Sequence, residues 1–125
     1  VGLYFSIIDW HHPDFPKYGD RQHPMRNNAA YKDEKIDFDR YLDYMHGQVK
    51  ELVTNYGKLD LLWFDFSYDD MTGEKWKATD LIKMVRHYQP DVIIVETSQV
   101  LNRLFLQKEF VMLMVNLFHG NYVQQ

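Results

Sequence analysis

Three apolar runs, GLYFSII (2–8), LDLLWFDF (59–66) and DVIIV (91–95), alternate with stretches of helical periodicity. This alternation constrains the fold more than any other feature. In IDFDRYLDYMHGQVKELVTNYG, the residues Tyr41, Tyr44, Met45, Gln48, Val49, Leu52, Val53 and Tyr56 recur at i, i+3, i+4 and i+7. That spacing predicts an amphipathic helix of about five turns. Asp37 or Asp39 caps its start and Gly57 ends it. ATDLIKMVRHYQ predicts a second helix with Leu81, Ile82, Val85 and Tyr88 inward, stopped by Pro90. The near-continuous apolar character of LDLLWFDF is that of a parallel strand covered on both faces. Strand, helix, strand, helix, strand reads as a βαβαβ unit of α/β class with right-handed crossovers.

Between the first strand and the first helix runs HHPDFPKYGDRQHP and its continuation. Pro13, Pro16 and Pro24 oppose regular structure there, so positions 11 to 36 are expected to be a long loop. Loops of that length within a compact domain usually serve function. Hydrophobic residues make up 46% of the 125, enough for one domain with a real core. The 14 basic residues are scattered and the net charge is −4, which argues against a nucleic-acid surface. No apolar run approaches the roughly 20 residues of a membrane span. Cysteine is absent, which excludes disulfides and thiolate metal sites and leaves the compartment open. VGLYFSII has no basic n-region and reads as a strand already under way, so the chain is expected to begin inside a longer protein.

One ionisable group interrupts the central run: Asp65, between Phe64 and Phe66. A lone carboxylate inside a dry strand costs several kcal/mol, on the order of a lost buried pairing. At the carboxyl end of a parallel strand it can instead face a cleft, where α/β units place their chemistry. Asp9 and Trp10 hold the equivalent place after the first strand. The plain alternative is an Asp that caps the following turn. Spacing does not choose between the two.

GLYFSIIDWHHPDFP, then a Tyr-rich helix, NYGKLDLLWFDF and QPDVIIV together resemble the middle of an α-L-fucosidase of glycoside hydrolase family 29, from about Gly2 to Val95. The resemblance implies a partial (β/α)8 TIM-like barrel over residues 1–95, followed by a divergent segment, 96–125. It implies a retaining, double-displacement hydrolase of fucosylated glycans or small fucosides that needs no metal or other cofactor. By the family's pattern, Asp65 is the catalytic nucleophile, and Tyr4 and Trp10 line the sugar pocket. Such an enzyme needs an ionised carboxylate to attack the anomeric carbon and an acid to protonate the leaving oxygen. Donors around Asp65 would keep it charged.

The departures are specific. The His-Trp-Gly strand and Lys-His-His-Asp-Gly loop that grip fucose in relatives are absent, and His11-His12 is a different element. Glu96-Thr97-Ser98 stands where Asn-Asn-Arg is expected, and Arg103 is not taken as the displaced Arg. The apolar run FVMLMVNLF lacks βα punctuation, as a shifted reading frame or a fragment end would. No residue is assigned as acid/base, neither Glu96 nor Glu109. The chain is thus expected to be inactive alone. The alternative is a non-catalytic half-barrel that binds sugar weakly or assembles with another chain, and a third is a different barrel hydrolase. Edges that a full barrel would bury leave the piece open to self-association.

Asp9, His11, His12 and Asp14 match a metal cluster by type. Adjacent His side chains in extended backbone point opposite ways, however, so a solvated loop is the expectation. His46 is expected on the surface, and His87 at a helix C-terminus that suits its charge. Asp69 and Asp70 read as loop solvation, and Trp76 as packing on the second helix.

Overall fold

The computed structural model describes residues 1–68 and 70–96. Asp69, Arg103, Glu109, FVMLMVNLF and, apart from Glu96, the whole 96–125 segment lie outside them. Three parallel strands, β1 (Gly2–Ser6), β2 (Leu61–Asp65) and β3 (Ile93–Glu96), form one sheet in the order β1-β2-β3. Helix α1 (Phe38–Asn55) links β1 to β2, and α2 (Ala78–Tyr88) links β2 to β3. This is the expected α/β order. Each expected strand is shorter than its apolar run. β2 stops at Asp65 because Phe66 turns to φ 77, which breaks the extended ladder.

Both helices pack on one face of the sheet. Leu62 and Phe64 of β2 meet Leu42, Met45, Val49 and Val53 of α1 and Leu81 and Val85 of α2 in a single buried cluster. Strand alternation sends Tyr4 and Ser6 of β1, with Trp63 and Asp65 of β2, to the other face. Leu61 of β2 and Ile93 and Val95 of β3 share that face, so among the described strand residues Asp65 is its one carboxylate, set among aromatic, aliphatic and small polar side chains.

Asp37 caps α1, its carboxylate accepting from the Arg40 amide, and Gly57 at φ 76 supplies the left-handed turn that follows the helix. The buried stripe of α1 is narrower than its sequence pattern. Tyr41, Met45, Val49 and Val53 are inward as expected, joined by Leu42, whereas Tyr44 and Tyr56 are exposed. Tyr88 of α2 is also exposed. A tyrosine at the border of an apolar stripe can keep its hydroxyl in water, and the i, i+3 pattern cannot distinguish border from centre.

The 11–36 segment is irregular except for a 3-10 turn at Ala29–Tyr31. Its anchor is Asp14. The Arg40 guanidinium donates to both Asp14 oxygens at 2.5 and 2.8 Å, and the Asp37 amide donates at 3.0 Å. These donors hold the Asp14 carboxyl down at about 2, the Arg40 bond being the largest cause. Asp14 is therefore buried and paired, not part of a solvated loop surface. His46 likewise departs from expectation: it is half-buried, and its Nε2 donates to the Trp76 carbonyl at 2.8 Å. Trp76 is buried in the core, as the packing reading expects.

Candidate active site

The parallel register sets Tyr4 beside Trp63 and Ser6 beside Asp65. Tyr4 reaches past its own neighbour, and its hydroxyl donates to Asp65 Oδ2 at 2.7 Å. The Phe66 amide donates to Asp65 Oδ1 at 2.8 Å. Each carboxylate oxygen thus has a donor. The Tyr4 phenol is pushed well above the usual tyrosine range, first by burial, then by its bond to Asp65 and the carboxylate's charge. It therefore stays a donor at any working pH. The Tyr4 ring meets Trp63 edge-on at 5.6 Å.

Asp65 and Tyr4, singled out from the sequence, are brought together; Trp10 is at the same end of the sheet but in other company. Its ring lies against His23 at 5.6 Å, and it packs on the core from the loop after β1. Its Nε1 is buried and has no hydrogen-bond partner among the described residues. His23, itself buried, accepts from the Met25 amide through Nδ1, so its Nε2 carries the proton and faces the Trp10 carbonyl at 3.4 Å.

Two participants were not picked out from the sequence. Trp63 shares the Asp65 face, a signal available in the period of two along LDLLWFDF. Tyr68 is the other. Its hydroxyl donates to Asp20 Oδ2 at 2.7 Å, while Asp20 Oδ1 accepts from the amides of Gln22 and His23. This clasp joins the loop after β1 to the loop after β2 across the carboxyl ends of the strands. No local pattern announces a contact between positions 48 residues apart.

The remaining candidates have protein partners. Asp9 accepts from the His11 amide and from Tyr44 at 3.4 Å, and His12 packs its ring on Tyr41 and Tyr44. Among the described residues, no group of three His, Cys, Asp or Glu is placed to hold a metal ion. Glu96 pairs with Phe64 in register and lines a groove of about 220 Å³ on the helix face, away from Asp65. Among the described residues, no helix is long and apolar enough to cross a membrane.

The chain has a parallel α/β sheet with its helices on one face and a phenol-clamped carboxylate at a strand's carboxyl end on the other, the end at which proteins of this class place their chemistry. The model of the alpha-L-fucosidase family matches residues 1–112, and the chain belongs to that family. The matched span runs past Val95, where the resemblance legible in the sequence ends. The chain is similar in structure to alpha-L-fucosidase isoenzyme 1 from Paenibacillus thiaminolyticus, with 76% identity and a TM-score of 0.71, covering 73% of this chain and 22% of that one. It is similar to alpha-L-fucosidase AlfC from Lactobacillus casei in complex with alpha-L-fucose product, at 28% identity, TM-score 0.54, and 74% and 30% coverage. A substituted AlfC in complex with Fuca(1,6)GlcNAc gives 28% identity, TM-score 0.56, and 74% and 30% coverage. No curated protein matches the chain. The chain thus spans less than a third of the length of these structures.

Proposed function

We propose that residues 1–95 form part of the catalytic (β/α)8 barrel of a retaining alpha-L-fucosidase, with Asp65 as its nucleophile. The observation that supports this reading is the clamp itself: a carboxylate held by Tyr4 and the Phe66 amide at the carboxyl end of β2. In the first step an Asp65 oxygen attacks the anomeric carbon and the bond from that carbon to the leaving oxygen breaks. A general acid gives that oxygen its proton. An alcohol leaves and a fucosyl ester of Asp65 remains. In the second step water attacks the same carbon, its proton passes to the conjugate base, and the Asp65 carboxylate is released with fucose. Tyr4 and Trp63 border the carboxylate and would contact the sugar, and Trp10 would close the pocket from the loop side. Fucosides are the substrate class, consistent with the fucose and fucoside complexes of the related AlfC structures.

Retaining hydrolysis needs a second carboxyl group about 5–5.5 Å from the nucleophile. Glu96 lines the groove on the opposite face of the sheet, so it does not serve. Positioning of the sugar alone can supply roughly 7–11 kcal/mol of the barrier, and the family's hydroxyl-gripping His motifs are not in this sequence. The 125-residue chain is therefore expected to hydrolyse nothing by itself. The test uses the full-length protein that carries this segment. A mechanism-based fluorinated fucoside should label Asp65, and Asp65→Gly should abolish aryl-fucoside hydrolysis, with azide restoring turnover as fucosyl azide. Label on Asp9, Asp69 or Asp70 would overturn the assignment. Turnover by the isolated chain would overturn the account of what it lacks.

A further inference from the structure

Phe66 has a backbone that a bulky L-residue seldom adopts, φ 77, at the position directly after the proposed nucleophile. The Phe66 ring packs against the core cluster from its half-buried position. Ring burial does not by itself explain the left-handed turn, because an ordinary extended residue can also bury an aromatic ring. The turn does end the ladder at the carboxylate, and the Phe66 amide, instead of continuing along a strand, donates to Asp65 Oδ1. On the other side of the same peptide unit, the Asp65 carbonyl still accepts from the Ile7 amide at 3.2 Å.

We propose that the Phe66 backbone amide is a positioning group: a non-rotating donor on Asp65 Oδ1, it fixes the plane of the attacking carboxylate. The inference rests on the reading of Asp65 as nucleophile. As donors to Asp65, Tyr4 and Phe66 differ in kind. The Tyr4 hydroxyl is a rotor that a sugar hydroxyl can draw away, whereas the Phe66 amide is locked by its backbone. A donor that cannot rotate away pre-organises the group it holds. Phe66 touches no reacting atom in this scheme and acts only through Asp65.

The test replaces one atom in the full-length protein. Phe66→phenyllactate keeps the ring and exchanges the amide N–H for an ester oxygen. The rate at which a fluorinated fucoside labels Asp65 should fall about 10- to 100-fold, the size expected for a lost hydrogen bond to a charged group. The binding constant for fucose, which requires no nucleophilic attack, should stay within about twofold, a split that a general structural defect would not produce. The ester also weakens the Asp65 carbonyl as an acceptor for the Ile7 amide. The control is therefore an ester at Ile7, which removes that donor directly and should leave the labelling rate within about threefold of the parent. Labelling of the ester variant at the parent rate would overturn the proposal, as would equal slowing by the Ile7 ester. If the parent protein is not labelled at Asp65, the nucleophile reading fails first, and the two failures are told apart by the site of the label.

Discussion

Gln89 follows α2 and ties three elements together. Its Oε1 accepts from the Leu59 amide at 3.0 Å, and its Nε2 donates to the carbonyls of Val53 at 2.9 Å and Gly57 at 2.8 Å. One side chain thus joins the end of α1, the approach to β2 and the end of α2. Gln89→Met keeps the length and most of the volume and removes all three bonds. Each bond is worth about 1 kcal/mol net, and the amide of Leu59, a buried residue, loses its partner outright. Water can replace Gln89 at the exposed Gly57 carbonyl, so we expect a loss of about 2–4 kcal/mol. Total domain stability is only about 5–15 kcal/mol, and a small three-stranded parallel sheet with open edges among the described strands should lie at or below the low end. The variant chain should therefore lose its near-UV circular dichroism at 25 °C or shift its urea midpoint sharply downward with an unchanged slope. Gln89→Glu sharpens the comparison, since it keeps an acceptor for Leu59 but turns a carboxylate toward two carbonyls. It should be as destabilising as Met at neutral pH and milder in acid, where the carboxyl can donate. A Gln89→Met change below about 0.5 kcal/mol, the range of neutral surface substitutions, would refute the reasoning.

Tyr4→Phe in the full-length protein removes the phenol donor on Asp65 Oδ2 and should lower kcat/KM for an aryl fucoside about 10- to 100-fold; an unchanged value would dismiss the clamp as incidental. The Asp14 carboxyl is held from its ordinary 3.8 down to about 2, so the stability it confers is complete above the first value and lost as pH falls through the second. Asp14→Asn should therefore flatten the acid limb of the stability curve in that window, and an unaltered acid limb would count against the pairing. Among the described strands, β1 and β3 each have a neighbour on one side, and Ile93 is 37% exposed. The isolated chain is expected to self-associate or behave as a loosely packed state, and a monomer with a sharp thermal transition by sedimentation and calorimetry would exclude this.

The βαβαβ order, the caps at Asp37 and Gly57 and the stop at Pro90 follow from local chemistry, so the sequence by itself determined them. Apolar periodicity needs only neighbours three or four residues apart, and a cap needs only its own helix end. The place of Asp65 at a strand's carboxyl end was legible for the same reason, as was its resemblance to a family's nucleophile position. What surrounds Asp65 was not. Its bond to Tyr4 spans 61 residues, and only the parallel register of β1 on β2 brings the two side chains to one face. The burial of Asp14 depends on Arg40, 26 residues on, and without that pairing a carboxylate among prolines reads as solvent-facing. The Tyr68–Asp20 clasp and the three-way tie at Gln89 are likewise long-range. Positive φ at Phe66 is the sharpest case, because no propensity puts a phenylalanine there, and its ring packs on a core assembled from distant segments. Local energetics chose the elements, and only the packed tertiary structure decided which polar groups meet above the sheet, because those bonds depend on register rather than on neighbours along the chain.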